Sequence, residues 1–375
     1  MRRYLLALLV AVPIHAQWTI QQSNTTADLR GIHALGNGVA WASGSKGTVL
    51  RTIDNGTTWQ TCAVPPAAEA LDFRGIQAFD AQTAIVMSSG KGDLSRLYKT
   101  TDACKTWKLV FTNPDAEGFW DAIQFSAKEH SDADRSFGVL LGDPVAGRFV
   151  MMLSYDFGDH WIPQVQRIAA DPHGEAIFAA SNSSLFVTGR TLRSFVTGGK
   201  GGPRLVDFQV VPDDTQQSDP IHVLKGATPL HWLTKQFSTS HLPVQTSNES
   251  SGGFSVGGHA GPQVIVGGDY TKPEVATQTA WYLAQSKRTS GWTASSHPPH
   301  GYRSAVAYDS PTKMWITVGP NGTDVSTDDG RNWHALRPGP TDAADADQHW
   351  NALSLPFVVG PHGRIGLLES KAPGH

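Results

Sequence analysis

"STDDGRNW", from Ser326 to Trp333, is the last of four similar segments in the chain. The three earlier copies are "TIDNGTTW" (52–59), "TTDACKTW" (100–107) and "SYDFGDHW" (154–161). Every copy has Ser or Thr at its first position, Asp at its third and Trp at its eighth, and three of the four have Gly at the fifth. We call these segments the repeat boxes, and their spacing decides the fold.

The residue types of the repeat boxes favour a tight turn over an active site. Asp accepts backbone N–H bonds within turns, Gly adopts a positive φ without steric cost, and Trp offers a broad apolar face. Cys104 replaces the glycine of the second box, which argues against a chemical role common to all four. The predicted structural residues are Asp54, Trp59, Asp102, Trp107, Asp156, Trp161, Asp328, Gly330 and Trp333. The boxes resemble the Asp-box, or BNR, repeats of sialidases and many other propellers, and this resemblance implies a fold but no activity.

The repeat boxes mark the units of a repetitive fold. The first three box tryptophans are separated by 48 and 54 residues, and the fourth follows at a distance of about three such units. Short apolar openings recur with them: "LRGIHAL" (29–35), "FRGIQAF" (73–79), "FWDAIQF" (119–125), "GEAIFAA" (174–180), "GGFSVGG" (252–258), "YRSAVAY" (302–308) and "HWNALSL" (349–355). The pattern predicts four strands per unit, with the box between the third and the fourth. It therefore indicates an all-β, seven-bladed β-propeller with four-stranded antiparallel blades.

The two ends of the chain are predicted to form one blade together. The last unit, 350–368, has only three strands, whereas "WTIQQ" (18–22) is a strand without a unit of its own. We expect the N-terminal strand to complete blade seven from outside, which closes the ring and removes an exposed sheet edge. Residues 211–251 are polar and contain proline, so we expect the outer part of blade four and a surface excursion there.

Residues 1–16 are predicted to be a signal peptide. Arg2 and Arg3 precede an apolar run that ends near Ile14, and Ala16 is a small residue at the expected cleavage point. Cleavage would leave 17–375 as a single propeller domain that is periplasmic or secreted. A short membrane anchor is the alternative, and no later segment is apolar enough to span a bilayer.

Export would permit a disulfide, because exported proteins fold in oxidising compartments. Cys62 and Cys104 are the two cysteines, and they would lie close together if their units are neighbouring blades; otherwise both remain thiols. The net charge of −3 gives no indication of nucleic acid or of an anionic membrane as a partner. No phosphate-binding loop, hydrolase elbow or zinc motif is present, so neither a cofactor nor a metal is predicted, and we expect a monomer.

Five stretches resemble the photosystem II stability/assembly factor propellers, in particular bacterial relatives of that family. The stretches lie at 29–59, at 140–161 ("LLGDPVAGRFVMMLSYDFGDHW"), at 174–184 ("GEAIFAASNSS"), at 266–274 ("VGGDYTKPE") and at 301–333. The resemblance implies a seven-bladed propeller that is exported across a membrane. It also implies a non-enzymatic assembly or binding factor.

A binding site is expected at the channel mouth opposite the repeat boxes, because the first strand of every propeller blade lines the channel. The predicted strand-start ring consists of Arg30, Arg74, Trp120, Glu175, Arg303 and Trp350, with blade five unassigned. Loops between second and third strands add Asp143, Asp269 and Tyr270, together with Lys46, Lys91, Lys200 and His362. Arginines beside tryptophans favour a protein partner or a small anionic or carbohydrate ligand. Arg–Glu ion pairs that only rigidify the ring are the alternative.

A sialidase-like glycoside hydrolase is the enzymatic alternative at the same face. Sialidases use three arginines for the substrate carboxylate, a tyrosine paired with a glutamate, and an aspartate as acid/base. The matching residue types are Arg30, Arg74, Arg303, Tyr270, Glu175 and Asp143 or Asp269. The Phe-Arg-Ile-Pro signature of sialidases is absent, so we assign no catalytic residue.

Overall fold

Residues 16–126, 137–164, 167–188, 192–212, 232–244, 248–259, 261–285, 290–340 and 342–370 are described by the structure, a computed structural model. Regular structure in these ranges consists of antiparallel β-strands and one 3₁₀ helix, Gly92–Leu94. Middle strands such as "AIVMS" (84–88) are buried along their whole length, because neighbouring blades cover both of their faces. No helix in these ranges has the length and hydropathy needed to cross a membrane.

The first three blades follow one another without interruption. The chain opens with β1 (Ala16–Gln21). Blade one is β2 (Leu29–Gly36), β3 (Val39–Gly44), β4 (Val49–Thr52) and β5 (Gln60–Thr61). Blade two is β6 (Phe73–Ala78), β7 (Ala84–Ser88), β8 (Arg96–Thr100) and β9 (Lys108–Thr112). Blade three is β10 (Trp120–Phe125), β11 (Gly138–Val145), β12 (Arg148–Ser154) and β13 (Ile162–Pro163).

Blade four is less regular than its neighbours. Its part of the chain holds β14 (Glu175–Ala176), β15 (Leu185–Thr188), β16 (Leu192–Val196), β17 (Gly198–Gly199), β18 (Arg204–Pro212) and β19 (Trp232–His241). The sheet order of the blade is β15-β16-β18-β19. The short strands β14 and β17 instead pair with each other and extend the inner edge of blade five. The predicted opening "GEAIFAA" (174–180) is therefore strand only at its start, and the inner strand of blade four begins later.

The remaining blades close the ring. Blade five is β20 (Ser251–Gly258), β21 (Gln263–Asp269), β22 (Ala280–Gln285) and β23 (Ser290–Ala294). Blade six is β24 (Ala305–Asp309), β25 (Met314–Gly319), β26 (Gly322–Ser326) and β27 (His334–Leu336). Blade seven is β28 (Ala352–Ser354), β29 (Phe357–Val359) and β30 (Ile365–Ser370), with β1 as its outer strand. The seven-bladed architecture and its closure by the N-terminal strand are thus confirmed.

Residues 211–251 contain the end of β18 and the whole of β19, which the sequence pattern did not resolve. Strands β18 and β19 pair from Arg204↔His241 to Pro212↔Trp232, and β19 is the outer strand of blade four. The predicted surface excursion falls mainly on 213–231, outside the described residues, as do residues 1–15 of the predicted signal peptide.

The four repeat boxes form one turn with the same hydrogen bonds in each copy. The hydroxyl at position one donates to the Asp carboxylate at 2.8–3.0 Å and accepts the N–H of position five at 2.9–3.1 Å. The same carboxylate oxygen accepts the N–H of position seven at 2.9–3.0 Å. Hydrogen bonds from the Thr106 side chain and backbone lower the pKa of Asp102 to about 2. The box aspartates are therefore acceptors inside turns.

The fifth box position points at the preceding blade. Its residues have φ between 61° and 81°, which glycine adopts most easily. A Cβ on Gly158 would come within 2.1 Å of Ile85 in blade two, and one on Gly330 within 2.8 Å of Val264 in blade five. Cys104 occupies this position in the second box, and its sulfur is bonded to Cys62 of blade one, with Cα atoms 5.2 Å apart. The Cys104 side chain therefore points toward the preceding blade, as the box glycines face it, and its disulfide links the two blades.

Gly158→Ala is expected to destabilise the protein more than Gly147→Ala. Both glycines belong to blade three and have φ of 80° and 73°, but a Cβ on Gly147 has no atom within 4 Å. The left-handed backbone alone costs about 1–2 kcal/mol at either site. The contact with blade two adds about 1–3 kcal/mol for Gly158→Ala. Urea unfolding of both variants measures the difference, and equal losses would contradict the packing role of the box glycine.

Removal of the disulfide is expected to destabilise the protein less when Cys104 is replaced by glycine, the residue that the other three boxes have at this position. In the chain-entropy model, a cross-link between residues 42 apart contributes about 4 kcal/mol. The double variants Cys62→Ala/Cys104→Ala and Cys62→Ala/Cys104→Gly both lose this contribution. The free energy of unfolding of the Gly variant should be about 1–2 kcal/mol higher than that of the Ala variant. Position 104 has φ of 61°, a left-handed conformation that glycine adopts without the steric cost of a Cβ. Urea unfolding of the two double variants provides the comparison, and greater stability of the Ala variant would disprove the strain at this position.

Candidate functional site

A cavity of about 680 Å³ opens at the channel mouth. The starts of the first strands and the loops between second and third strands border it, whereas the repeat boxes connect third and fourth strands. Antiparallel strands place these two sets of connections at opposite ends of every blade. The cavity therefore lies on the face opposite the boxes. Its lining includes Arg30, Arg74, Asp121, Asp143, Phe178, Phe254, Tyr270, Tyr302, Ser304, Trp350 and Asn351.

Bulges in the first strands turn side chains into the cavity. In blade one the strand pairing passes from Leu29↔Gly44 to Gly31↔Ser43. Arg30 is therefore the extra residue of the bulge and faces no residue of the neighbouring strand. The same shift leaves out Arg74 in blade two, Asp121 in blade three and Phe254 in blade five. An extra residue in one strand interrupts the ladder and re-aims its side chain. All four bulged residues line the cavity.

The structure corrects the predicted ring by one residue in blade three. Trp120 pairs with Gly142 as Leu29 pairs with Gly44, so the tryptophan is equivalent to Leu29 and not to Arg30. Trp120 is fully buried and stacks on Phe111, with ring centroids 5.7 Å apart. Asp121 takes the position toward the cavity. The comparison of the strand openings allowed for no bulge, so the sequence predicted Trp120 at this position instead of Asp121.

The same correction applies to blades six and seven. Leu29, Arg303 and Trp350 each donate their backbone N–H to a glycine carbonyl of the preceding blade, so the three are equivalent. Ser304 and Asn351, the residues that follow, line the cavity at the positions of Arg30. Trp350 still borders the cavity, and the Arg364 guanidinium lies 4.9 Å from its ring.

Arg303 is fully buried in an ion pair of its own blade and does not reach the cavity. Its Nε donates to Asp324 at 2.8 Å, and its Nη1 donates to the side chain of Asn321 and to the carbonyl of Tyr302. Burial lowers the pKa of Arg303, and the Asp324 carboxylate opposes that effect. The predicted participation of Arg303 in the ring is therefore corrected.

Glu175 and Asp269 also lie outside the cavity. Glu175 is buried, pairs with Arg204 and accepts hydrogen bonds from Thr197 Oγ1 at 2.6 Å and from the N–H of Asp171 at 2.8 Å. Asp269 accepts hydrogen bonds from neighbouring loop residues, among them Ser250 Oγ at 2.7 Å. Both carboxylates thus accept hydrogen bonds from residues near the strand ends and do not take part in the cavity.

A segment of blade four crosses the channel and forms the floor of the cavity. We call residues 177–184 the channel segment. Asn182 accepts a hydrogen bond from the N–H of Ile123 at 2.8 Å and donates one to its carbonyl at 3.0 Å, in blade three. Ser181 Oγ donates to the carbonyl of Ser304 in blade six at 2.7 Å, and Ser183 Oγ donates to Ser255 Oγ in blade five at 2.7 Å. The segment thus connects the inner strands of several blades.

Aromatic rings form one wall of the cavity. Phe178 stacks on Phe254 with centroids 3.9 Å apart and planes 2° from parallel. The Tyr302 ring meets Phe254 edge-on at 4.7 Å, and Tyr270 lies 6.2 Å from both phenylalanines. Tyr270 is 52% exposed, so this wall presents an apolar surface at the entrance.

The opposite wall is charged. Arg74 Nε donates to Asp72 at 2.8 Å, whereas Arg30 Nε lies 4.0 Å from the same carboxylate, beyond hydrogen-bond distance. Among the described residues, no atom accepts a hydrogen bond from Arg30 Nε. Asp121 and Asp143 lie beside the arginines, and burial raises the pKa of Asp143 to about 6, opposed by the Ile177 N–H. The cavity therefore combines a guanidinium with spare donors, two carboxyl groups and an aromatic wall.

The residues proposed for a sialidase-like reaction are only partly brought together, because Arg30, Arg74, Asp143 and Tyr270 line the cavity and the others do not. Arg303 and Glu175 are buried and have partners outside the cavity, so Arg30 and Arg74 are the arginines of the described residues that line it. Within the described ranges, the Tyr270 hydroxyl makes no hydrogen bond to a carboxylate, and no group of three His, Cys, Asp or Glu side chains could hold a metal ion. The arrangement favours binding of polar and apolar groups over glycoside cleavage.

The fold and the cavity define a seven-bladed β-propeller with a closed ring and a charged, aromatic channel mouth. No protein-family model matches the chain, and no curated protein sequence matches it. Solved structures share the fold. The photosystem II assembly factor YCF48 bound to a D1 peptide has a TM-score of 0.57 and 15% identity, over 96% of this chain and 100% of that one.

Two further solved structures show the same fold. YCF48 from Cyanidioschyzon merolae has a TM-score of 0.50 and 16% identity, over 94% of this chain and 99% of that one. The WD40 β-propeller domain of Doa1 has a TM-score of 0.57 and 8% identity, over 95% and 97% of the two chains. At these sequence identities the similarity to solved structures shows the propeller fold alone and does not identify a ligand.

Asn182→Ala is expected to loosen the channel segment. The substitution leaves the N–H and the carbonyl of Ile123 without their partner, and a buried unpaired polar group costs about 1–3 kcal/mol. Amide exchange at Ile123 should accelerate, and the free energy of unfolding should fall. Ser183→Ala, which removes hydroxyl hydrogen bonds to Ser181 and Ser255 but none to Ile123, is the matched control and should have the smaller effect on exchange at Ile123. Unchanged exchange at Ile123 would show that Asn182 does not hold the segment.

Proposed function

We propose that this protein is a non-enzymatic binding propeller, similar in function to an assembly factor, that holds a segment of another protein at its channel mouth. The observation that supports this best is the position of Arg30: it lines the cavity with 32% of its side chain exposed, and no described residue accepts a hydrogen bond from its Nε. A guanidinium binds carboxylates through paired hydrogen bonds. Arg30 and Arg74 would therefore hold an acidic side chain or a C-terminal carboxylate of the bound segment.

The shape of the cavity supports a peptide as the ligand. Ligand pockets typically enclose about 300–1,000 Å³, and the 680 Å³ here is enough for a few residues of an extended chain. The open mouth would let the rest of the partner extend away from the propeller. Phe254, Tyr270 and Tyr302 would pack against an apolar side chain next to the bound carboxylate. The YCF48 structure bound to a D1 peptide supports this proposal by similarity of fold.

Export of the protein belongs to the same proposal. The basic and then apolar N-terminal sequence supports a cleaved signal peptide at 1–16. The Cys62–Cys104 disulfide between blades one and two supports folding in an oxidising compartment. The protein would therefore meet its partner in the periplasm or outside the cell.

The Arg30→Ala/Arg74→Ala variant should lose binding of peptides with a free C-terminal carboxylate. The probes are a mixture of random hexapeptides with free C-termini and the same mixture amidated, and retention on immobilised protein is measured by mass spectrometry. The wild type should retain more of the peptides with free C-termini than of the amidated peptides. The double variant should retain roughly tenfold less of the peptides with free C-termini, because their charge-assisted hydrogen bonds are lost.

The matched control is Lys105→Ala/Arg331→Ala. This variant removes two positive charges from repeat boxes on the opposite face and should bind as the wild type does. Equal losses in both double variants would show a general charge effect. Equal retention of acids and amides by the wild type would also count against the proposal.

A further inference from the structure

Asp121 is a buried carboxyl group at the wall of the cavity, and no described side chain donates a hydrogen bond to it. It is 1% exposed, and no described donor makes a well-oriented hydrogen bond with either of its carboxylate oxygens. Buried polar groups are nearly always hydrogen-bonded, and an unpaired buried carboxyl group destabilises a fold. The bulge in β10 directs this side chain to the cavity, where a bound molecule can supply the missing donor.

Asp143 is directed to the same place by a second bulge. The pairing of β11 with β12 passes from Gly142↔Val150 to Pro144↔Phe149 and leaves Asp143 unpaired. Its Oδ1 accepts the backbone N–H of Ile177 at 2.9 Å, which fixes the orientation of the carboxyl group. Two bulges in one blade thus place two carboxyl groups side by side on the cavity wall.

The two carboxyl groups influence each other. Burial is the largest cause of the raised pKa of Asp121, and the neighbouring Asp143 raises it further. Arg74 and, to a smaller extent, the backbone N–H of Asp143 lower that pKa. The Nε and Nη1 atoms of Arg74 donate to Asp72 and to the carbonyl of Ala179. Arg74 therefore weakens the repulsion between the carboxyl groups without supplying a hydrogen bond to Asp121.

The geometry favours a compact cation with several donors. An ammonium group has three N–H donors and can bridge two carboxylates, whereas an anion would be repelled by them. The described residues offer no third ligand of the kind that a metal ion needs. The remaining charged or titratable groups at this end of the cavity are Arg30, Asp72, Lys91, Glu117, Tyr270 and Tyr302. Lys91 pairs with Glu117 at 2.7 Å, so neither is directed to the aspartates.

We infer that Asp121 and Asp143 form a cation subsite that binds a lysine side chain of the same peptide segment whose carboxylate Arg30 and Arg74 hold. This inference rests on the proposed function, and it adds that the bound segment carries both charges. The carboxyl pair then selects among peptides that the arginines alone would accept equally.

Binding of a lysine should weaken in acid. The lysine keeps its charge throughout, with a pKa of about 10.4, so only the carboxyl groups change their protonation. As the pH falls through about 6, Asp143 takes up a proton, and Asp121 is protonated already at higher pH than an ordinary carboxyl group. The preference for lysine is therefore largest in mildly alkaline solution and disappears near pH 5.

The experiment compares two peptides that differ only in one charge. The probes are N-acetyl-Phe-Lys-Ala and N-acetyl-Phe-norleucine-Ala, both with free C-terminal carboxylates, titrated calorimetrically into the full protein. At pH 8 the lysine peptide should bind roughly tenfold more tightly, as expected for charge-assisted hydrogen bonds. Equal affinities at pH 8 would overturn the cation subsite and leave the proposed function intact. No binding of either peptide at millimolar concentration would overturn both.

The variants Asp121→Asn and Asp143→Asn separate binding from structure. Both should abolish the preference for lysine, while the norleucine peptide binds at least as tightly as to the wild type, because a negative charge near its carboxylate is removed. Asp121→Asn should also raise the thermal midpoint at pH 8, because the burial that raises the pKa of Asp121 makes its ionised form unfavourable in the folded protein. Asp143→Asn keeps an oxygen for the Ile177 N–H and serves as the second test should one variant misfold. Retention of the lysine preference in both variants would overturn the inference.

Discussion

The ring depends on apolar packing between the faces of consecutive blades, since most backbone hydrogen bonds lie within one blade's sheet. The buried apolar residues of the described ranges group into seven clusters, and each cluster joins two neighbouring blades. The box tryptophans Trp59, Trp107, Trp161 and Trp333 belong to these clusters. A repeat box therefore does more than turn the chain, because it seals the contact with the blade before it. Cys104 adds a covalent bond to a contact that glycine makes elsewhere by close approach.

The bulge near the start of the inner strand connects this scaffold to the site. It holds one residue of a blade toward the channel axis without changing the packing behind it. The chemistry at that position varies freely, with arginine in blades one and two, aspartate in blade three and phenylalanine in blade five. A bulge that recurs from blade to blade thus carries a different side chain in several of them, so the chemistry of the channel mouth can change without a change of fold.

The architecture could be predicted from the sequence because its determinants are local. The repeat boxes and the strand openings recur with their residue types intact, and the strand at 18–22 had no other blade to join. The ring of site residues depends on register, where a shift of one residue exchanges the buried and the exposed positions. Alignment on Ile32, Ile76 and Ile123 would have matched Asp121 with the arginines. The channel segment left no such signal, because Ser and Asn side chains that bond to distant strands have the composition of an ordinary loop.

The channel segment also explains how unpaired charges persist at the mouth. A flexible cavity would let Arg30 and Asp121 turn toward each other and neutralise. Here the floor is held by hydrogen bonds to blades three, five and six, and Arg30 and Asp121 are each held by a bulge in a different blade. The rigidity of the ring keeps the guanidinium and the carboxyl groups apart and directed inward. Such preorganisation lowers the cost of ordering on binding, so the stability lost to an unpaired buried carboxyl group is offset when the ligand arrives.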